Sequence, residues 1–435
     1  MSERRLLVLC YFFPPLAGGG VHRVLSFVRH LPAHGWACTV VCAGPEDYWV
    51  RDATLEADVP ADTEVIRVAG GSAIAAWLRG PGAREGAGRR RGGRFAMLRA
   101  AADWTLLPDS YAGWARRARA TAARRLSRGG IDALLTSSPP DSVHLAGLAL
   151  ARGGARPWIA DFRDPWIGSH FRTPPTPWHA ARQRAAERSV VGGADLVLAA
   201  SATHADDLRA MRDGAGTPLA RHVEHLPNGF EPAGAASAAA DPPPGTFTLV
   251  FTGTLSLMPD TREFLDALAR FLARRPDARA RIAVRLAGPY DLDDEDRARA
   301  LGVADVVSFP GPLDRAATRA LQRRADLLLL WKPRGAGYRT MVPGKLYEYL
   351  DAGRPMLALL DANDEAGALA ARGGAELVAP GAPDALAAAL ERRFDAWAAR
   401  GRTPDARPAW LDAHTRGALA GRLAGLLDSM TGARA

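Results

Sequence analysis

The stretch YFFPPLAGGGVHRVLSF, Tyr11–Phe27, joins a predicted strand to a predicted helix. A short apolar run, Leu6 to Cys10, precedes an aromatic and proline corner, and a helical pattern begins after three consecutive glycines, Gly18–Gly20. Glycine lets a ligand approach the main chain closely, and a helix start presents free N–H groups and partial positive charge. The stretch therefore predicts a strand–loop–helix unit that suits a phosphate. A flexible surface turn is the alternative.

Short apolar runs alternate with helical patterns along the rest of the chain. Such runs are typical of the buried strands of parallel sheets. A break occurs near Asn228, where a small, Pro-rich stretch reaches Gly245. The alternation predicts an α/β protein with two doubly wound, Rossmann-like parallel sheets. The predicted strands are RLLVLC, ACTVVCAG, EVIRVAG, DALLTSS, PWIADF and DLVLAAS before the break, and FTLVFTG, RIAVRLAG, VVSFPG, ADLLLLW, PMLALL and AELVAP after it.

The break and the composition suggest how the chain is divided. We expect an N-terminal domain over residues 1–227, a linker over 228–245, a C-terminal domain over 246–407 and a helical tail over 408–435. An Arg/Gly-rich insert, about residues 79–94, interrupts the first domain. Open α/β sheets bind ligands at the carboxyl ends of their strands. We therefore expect a ligand in a cleft between two facing domains.

The bulk composition limits the setting. The chain has 435 residues and a net charge of +9, and only Lys332 and Lys345 of its 56 basic residues are lysines. Three cysteines, Cys10, Cys38 and Cys42, have no zinc-like spacing and are expected as reduced thiols on buried strands. No segment approaches about 20 unbroken apolar residues, so we expect no membrane span. These features predict a cytoplasmic protein.

The stretch YRTMVPGKLYEYLDAGRPMLAL, residues 338–359, carries the two charges that most suggest a binding site. Pro343 suits a first helical turn and Gly353 suits a helix end. Lys345 and Glu348 are three positions apart and so share one helical face. The lysine and the helix N–H groups can hold a diphosphate, while Glu348 can accept hydrogen bonds from a ribose diol. A simple ion pair on a surface helix is the alternative.

Basic residues also accumulate around the insert. The segment Arg79–Arg128 combines arginine clusters with Trp104, Leu107 and Trp114. Such a combination suits an anionic membrane surface, and it also suits nucleic acid. A solvated, Arg-rich helix face is the simplest alternative. Peripheral contact with the inner face of the cytoplasmic membrane is therefore one open expectation.

Several motifs occur together in a meaningful order. In chain order they are YFFPPLAGGGVHR with LPAHGWACTVVCAG, TSSPPDSVHLAGLAL, ADFRDPW, LPNGFE, FTGTL, VSFPGPL and VPGKLYEYLDAGRPMLAL. The combination resembles the retaining, nucleotide-sugar-dependent glycosyltransferases of the GT-B fold, in family four. The nearest types act in bacterial cell-surface polysaccharide and secondary-metabolite pathways. The resemblance implies a nucleotide-sugar donor, a small-molecule or lipid-linked acceptor, no metal or other cofactor, and no nucleic-acid partner.

The resemblance also implies residue roles. Glu348 matches the second acid of the family's Glu-x7-Glu motif, which binds the donor ribose, whereas the first acid falls at Thr340. The usual Arg and Lys phosphate pair is missing, since no basic residue follows FTGTL before Arg262. Lys345, and also Lys332, are expected to replace that charge. The full donor-binding set is Gly18, Gly19, Gly20, Gly253, Lys332, Gly344, Lys345 and Glu348.

The first domain is expected to hold the acceptor and the catalytic loop. ADFRDPW places Asp161, Arg163 and Asp164 where the wider family often has a catalytic-site histidine, but no general base is assigned among them. Gly20 is expected to face Lys345 across the cleft, on the same diphosphate. The resemblance therefore predicts glycosyl transfer with retention of the anomeric configuration. A non-catalytic sugar-nucleotide-binding subunit and a nucleotide-sugar epimerase remain alternatives.

Two further motifs favour structural roles. Asp291 and Asp293 in YDLDDED echo a metal motif of the other glycosyltransferase fold, but acids favour helix N termini and a helix start is the expectation. His144 follows Ser137 and Ser138, yet no Gly-x-Ser-x-Gly elbow surrounds these serines. We expect His144 to pack at a helix start or to face the cleft.

Overall fold

The computed structural model describes residues 4–16, 20–45, 51–71, 104–154, 156–168, 174–232, 245–255 and 258–432. The chain divides into two compact units. The first comprises Met1–Asn228 and Arg416–Ala435, and the second comprises Gly229–Thr415. The predicted insert 79–94, and Gly18 and Gly19 of the glycine loop, lie outside the described residues.

The first unit is built on a seven-stranded parallel sheet with the strand order β3-β2-β1-β4-β5-β6-β7. Its strands in the middle of the sheet are almost continuously buried, because helices cover both faces. The strands are β1 (Arg4–Cys10), β2 (Trp36–Ala43), β3 (Glu64–Val68), β4 (Ala133–Ser138), β5 (Trp158–Phe162), β6 (Leu196–Ala199) and β7 (Val223–His225).

The helices of the first unit form two layers. They are α1 (Val21–His30), α2 (Ala112–Ser127), α3 (Ser142–Arg152), α4 (Pro177–Gly193) and α5 (Ala202–Arg209). The strand order reverses between β1 and β4, and right-handed crossovers then place α1 on one face of the sheet and α2, α3 and α4 on the other. The packing of α2 on α3 and of α3 on α4 agrees with this arrangement.

The second unit has a six-stranded parallel sheet with the order β10-β9-β8-β11-β12-β13. Its strands are β8 (Phe247–Thr252), β9 (Ile282–Ala287), β10 (Val307–Gly311), β11 (Leu327–Trp331), β12 (Met356–Leu359) and β13 (Glu376–Val378). Its helices are α6 (Pro259–Arg274), α7 (Leu292–Ala300), α8 (Arg315–Arg324), α9 (Gly344–Ala352), α10 (Glu365–Arg372) and α11 (Pro383–Arg400).

The predicted fold class is confirmed. Each of the apolar runs named above as a strand is a strand, and both sheets are parallel with helical crossovers. The short edge strand β7 was not predicted, because VEH is three residues long and only partly apolar. The chain therefore has the two-sheet α/β architecture that the alternating pattern indicates.

The C-terminal helix belongs to the first unit. This helix, α12 (Arg416–Gly432), packs on α1. Its leucines Leu419, Leu423 and Leu427 are buried in the core of the first unit. Asp428 accepts a hydrogen bond of 2.7 Å from Nε1 of Trp36 on β2. The chain therefore leaves the first unit after β7 and returns to it at α12.

The cysteines occupy the buried positions expected of them. Cys10, Cys38 and Cys42 are free thiols on β1 and β2. Burial raises the pKa of Cys38 and of Cys42 to about 12. These thiols are therefore protonated packing groups. Within the part of the chain that the structure describes, no helix combines the length and apolar character needed to cross a membrane.

Candidate functional site

Three glycines end neighbouring strands of the second sheet. Gly253 follows β8, Gly288 follows β9 and Gly311 ends β10, and all three have positive φ angles of 128°, 140° and 75°. A Cβ atom on Gly288 would overlap the carbonyl oxygen of Gly253. The chain therefore needs glycine here for close backbone packing. Gly253 is exposed whereas Gly288 is buried, so a ligand can approach the main chain at Gly253.

Helix α9 begins beside this edge. Pro343 is its N-cap residue and Gly353, with φ 60° and ψ 46°, ends it in the left-handed conformation, as the sequence predicts. No side chain caps the N terminus of α9 in the described structure. Gly344 is exposed, and a Cβ atom placed on it would meet nothing within 4 Å. N–H groups of this first turn can thus donate hydrogen bonds to an anion.

Lys345 brings a cation to the same edge. Its Nζ lies 3.5 Å from the ring centroid of Phe251, which itself stacks on Trp331 at 4.1 Å. A Cβ on Gly253 would be 3.2 Å from that Nζ, so Lys345 and Gly253 are neighbours. Burial lowers the pKa of Lys345 to about 7, against the opposing attraction of Glu348. A diphosphate next to this ammonium would restore the charged form.

Glu348 is held by two polar neighbours. Nε2 of Gln322 donates to Oε2 of Glu348 at 3.1 Å, and Nη2 of Arg319 lies 3.7 Å from Oε1. Gln322 also donates to Oγ1 of Thr252, whose backbone N–H donates to the hydroxyl of Tyr349. The side chain of Glu348 remains about one-third exposed. The carboxylate is therefore fixed in orientation and still accessible to a ligand.

Lys332 has a different role from the one predicted. Its Nζ pairs with Asp364 at 2.6 Å and donates to the carbonyl oxygens of Tyr338 and Met341 at 3.0 and 2.9 Å. An ammonium has three donors, and all three are occupied. Lys332 therefore holds the loop that contains Thr340, and the prediction that it binds the donor phosphate is corrected.

Asp161, predicted to be catalytic, lies inside the first unit. The fully buried carboxylate at the end of β5 pairs with Arg23 of α1, with Nη2–Oδ1 at 2.7 Å and Nε at 3.0 Å from both oxygens. Ser137 donates to Oδ2 at 2.7 Å. Arg23 also donates to the carbonyl oxygens of Leu226 and Pro227. Buried and saturated in this way, Asp161 orients the loop after β5 and has no access to substrate.

Arg163 and Asp164 are the accessible members of that loop. Nε of Arg163 lies 3.2 Å from Oδ2 of Asp164, and these side chains are 15% and 30% exposed. A Cβ atom on Gly20 would overlap Nη1 of Arg163. The guanidinium therefore sits against the residue that precedes α1. The structure thus brings Gly20, Arg163 and Asp164 together, whereas Gly18 and Gly19 lie outside the described residues.

His144 is a core residue. It is fully buried in α3, its Nδ1 lies 2.8 Å from Oγ1 of Thr136, and its ring packs on Phe162 at 4.3 Å. Burial lowers its pKa to about 3. His144 therefore packs near the helix start, which is the first of the two expectations. Ser137 and Ser138 are also buried, with 5% and 1% of their surface exposed.

The acidic stretch after β9 is a helix cap. Asp291 is the N-cap residue of α7 and forms a capping box with Asp294. Asp293 makes an ion pair of 3.7 Å with Arg262. The expectation of a helix start is confirmed. Among the described residues, no group of three or more His, Cys, Asp or Glu side chains is placed to hold a metal ion.

The aromatic residues near the basic cluster have different environments. Trp114, expected at a membrane contact, is fully buried and donates to the carbonyl oxygen of Val68 at 3.0 Å. That part of the prediction is wrong, because Trp114 lies on the core face of α2. Trp104 and Trp178 are 56% and 59% exposed, and both rings contact His179. Trp178 had no predicted role.

The second unit thus gathers Gly253, Gly344, Lys345 and Glu348 at one sheet edge. Sequence reasoning missed the residues that support them, Phe251, Gln322 and Arg319, and it also missed Arg23 in the first unit. Arg23 lies inside a quoted motif, but its partner is 138 positions away. Gln322 carries no local signal, because nothing in a basic helix marks one amide as buried.

Comparison with known proteins agrees with this division of the chain. Residues 246–395, which form most of the second unit, match the model of the family described as Glycosyl transferases group 1. None of the curated proteins matches the chain.

Solved structures resemble the whole chain at low identity. An alpha,alpha-trehalose 6-phosphate synthase from Burkholderia multivorans has a TM-score of 0.64 at 17% identity, covering 100% of this chain and 98% of that one. Sucrose-phosphate synthase from Thermosynechococcus elongatus has a TM-score of 0.54 at 16% identity, and the match covers 99% of this chain and 97% of that one. WaaG, a glycosyltransferase involved in lipopolysaccharide biosynthesis, has a TM-score of 0.56 at 15% identity, and the match covers 98% of this chain and 100% of that one. Residues 246–395 are thus similar to the family described as Glycosyl transferases group 1, and the two parallel sheets of the chain have the fold of the GT-B glycosyltransferases.

Proposed function

We propose that this protein is a glycosyltransferase that moves a sugar from a nucleotide-sugar to an acceptor with retention of the anomeric configuration. The observation that carries the proposal is the cluster of Lys345, Glu348 and Gly253 at the uncapped start of α9. It offers a cation and free N–H groups for a diphosphate and a carboxylate for a ribose diol. Retention is supported by the ordered sequence motifs.

The chemistry fits the departure of a nucleoside diphosphate. Bond cleavage at the anomeric carbon places negative charge on the leaving phosphate, and fixed cations and oriented N–H groups stabilise such charge. In this proposal Lys345 supplies the cation, so turnover needs no metal and should survive a chelator. Thr340, at the position of the family's first acid, lies within the loop held by Lys332.

The first unit would supply the acceptor side. Arg163 and Asp164 are its accessible charged groups after β5, while Asp161 positions their loop from within the core. We propose that the acceptor binds this unit and that the nucleotide binds the second. Arg163, which lies against Gly20, is suited to bind an anionic group of the acceptor.

Binding of the donor can be tested without knowing the sugar. A thermal-shift panel should contain UDP, GDP, ADP and CDP together with their common sugar conjugates. A ligand that binds only the native state raises the melting temperature. We expect one base to be preferred, and slow hydrolysis of its sugar conjugate in the absence of acceptor. No shift with any member of the panel would overturn the proposal.

Analysis of the products formed from the preferred nucleotide-sugar distinguishes the alternative functions. Tight binding without hydrolysis or transfer would favour a non-catalytic sugar-nucleotide-binding subunit. Donor recovered with an inverted sugar carbon would favour an epimerase. Loss of donor with release of free nucleoside diphosphate, accelerated by an acceptor, would support glycosyl transfer.

We further propose that the protein is cytoplasmic and that its first unit contacts an anionic membrane, where a lipid-linked acceptor would be found. Helix α2 contains five arginines and no acidic residue. Arg116, Arg119 and Arg124 are exposed on it, and Trp104 and Trp178 are exposed elsewhere in the same unit. Interfacial aromatics and arginines favour such a surface.

Vesicle flotation tests this contact. The protein should float with vesicles containing 30% phosphatidylglycerol at low salt and should be released at 1 M salt, because the Debye length falls from ~10 Å to ~3 Å. The double variant Trp104→Ser/Trp178→Ser should float less, whereas Trp114 is too buried to serve as a probe. Equal absence from acidic and neutral vesicles at low salt would exclude the contact.

A further inference from the structure

We propose that Gln322 and Arg319 are positioning residues that orient Glu348 so that it can accept both hydroxyl groups of the donor ribose. The inference rests on the proposed function, because it concerns how the same site recognises the nucleotide. Both residues lie on α8, which packs against α9. Neither belongs to the motifs that suggested the site.

The amide group of Gln322 has a defined orientation. The side chain is fully buried and faces Oε2 of Glu348 at 3.1 Å. A carboxylate only accepts hydrogen bonds, so the amide must present its nitrogen to Glu348. The same nitrogen donates to Oγ1 of Thr252 at 3.0 Å. Glu348 is thereby tied to the end of β8, the strand that leads into Gly253.

The oxygen atom of this amide has an unusual environment. Its Oε1 atom is buried and has no hydrogen-bond partner among the described residues. Burying a polar atom without a partner costs free energy, and an apolar side chain such as leucine would avoid that cost. The amide is therefore poorly explained as a packing group. It is well explained by what its nitrogen does to Glu348.

The other carboxylate oxygen of Glu348 faces Arg319. Nη2 of Arg319 lies 3.7 Å from Oε1 of Glu348 and donates to the carbonyl oxygen of Glu231 at 2.7 Å. Arg319 is 8% exposed, so its guanidinium is held in place. A carboxylate offers about four acceptor positions. With one oxygen facing Gln322 and the other facing Arg319, each oxygen keeps one position for a hydroxyl group, which matches the two hydroxyls of a ribose.

The test compares ribose with deoxyribose in wild type and in Gln322→Leu, a variant of similar volume without N–H donors. The probes are UDP, GDP and ADP and their 2′-deoxy counterparts, and calorimetry uses the pair whose base binds most tightly. Wild type should bind the ribose form about tenfold or more tightly, the factor expected for one hydrogen bond to a charged group. In Gln322→Leu this preference should fall below about threefold.

The pattern of outcomes separates the possible failures. A purely structural role would weaken both probes by the same factor and leave the preference intact, which would overturn the inference while the proposed function stands. A wild-type protein that binds no nucleoside diphosphate would overturn the proposed function. Arg319→Met repeats the test if Gln322→Leu does not fold. Arg324→Met on the same helix is the control and should keep the full preference.

Discussion

The guanidinium of Arg23 and the carboxylate of Asp161 form a buried ion pair, with Nη2 and Oδ1 2.7 Å apart and both side chains excluded from solvent. Removing one partner leaves an uncompensated buried charge, which typically costs 3–5 kcal/mol. We therefore expect Asp161→Ala to lower the free energy of unfolding by about that amount, as measured in urea. Asp164→Ala, which removes a partly exposed carboxylate, is the control and should cost about 1 kcal/mol or less. An Asp161→Ala protein of normal stability without turnover would return Asp161 to a catalytic role.

Glu348→Gln should weaken binding of the preferred nucleoside diphosphate by ~1–3 kcal/mol, because charged hydrogen bonds to the ribose become neutral ones. Calorimetry measures the change. Glu391→Gln is a matched control, since the side chains of Glu391 and Glu348 are equally exposed, at 32%, and Glu391 makes a long ion pair of 3.8 Å with Arg275. Equal affinities in wild type and Glu348→Gln would exclude the ribose role.

Lys345 should make nucleotide binding depend on pH. With a pKa of about 7 in the free protein, the ammonium is charged below pH 7 and increasingly neutral above it. Bound diphosphate would stabilise the charged form, so affinity should fall as pH rises from 7 to 9, by up to about tenfold per unit. The β-phosphate is already ionised in this range, so the ligand contributes little to the slope.

Lys345→Arg should remove this slope, because arginine stays charged throughout the range. It should also bind more weakly than wild type near pH 7. A planar guanidinium does not fill the place of a compact ammonium that lies 3.5 Å from the centre of the Phe251 ring. Wild-type affinity in Lys345→Arg at pH 7, measured by calorimetry, would show that charge alone matters there.

Gly20→Ala should lower turnover while leaving nucleoside diphosphate binding to the second unit nearly intact. The added methyl group would displace the Arg163 guanidinium, which is the flexible end of a long side chain, so stability should change little. If the effect passes through Arg163, the double variant Gly20→Ala/Arg163→Ala should be no slower than Arg163→Ala alone. Normal turnover in Gly20→Ala would indicate that the glycine loop is a surface turn without a role in catalysis.

Glu187 should make the first unit more stable at mildly acidic pH. Burial and the charge of Asp141 raise its pKa to about 7. The folded chain then binds a proton that the unfolded chain releases above about pH 4.5, so the free energy of unfolding falls as pH rises from 4.5 to 7, by about 3 kcal/mol in full. Glu187→Gln should flatten this fall and melt higher than wild type at pH 8. The exposed Glu56→Gln should leave the calorimetric pH profile unchanged.

The sequence predicts best what depends on neighbouring residues. Buried parallel strands are local apolar runs, and the limits of α9 follow from Pro343 and Gly353. The misjudged residues depend on partners that are distant in sequence. Asp161 meets Arg23 across 138 positions, and Gln322 meets Glu348 across 26. Lys332 looked available because the loop carbonyls and Asp364 that occupy its ammonium form no recognisable pattern.

The return of the last helix to the first unit makes the second unit a continuous insertion, from Gly229 to Thr415. The two ends of that insertion are adjacent, since Phe230 pairs with Thr415 in a β-bridge and its N–H donates to His414 at 3.2 Å. A segment whose two ends are neighbours can be replaced by another segment without disrupting the domain into which it is inserted. If the second unit binds the nucleotide, as proposed, then exchanging it at these two neighbouring points would transfer nucleotide preference between relatives while the first unit stays unchanged.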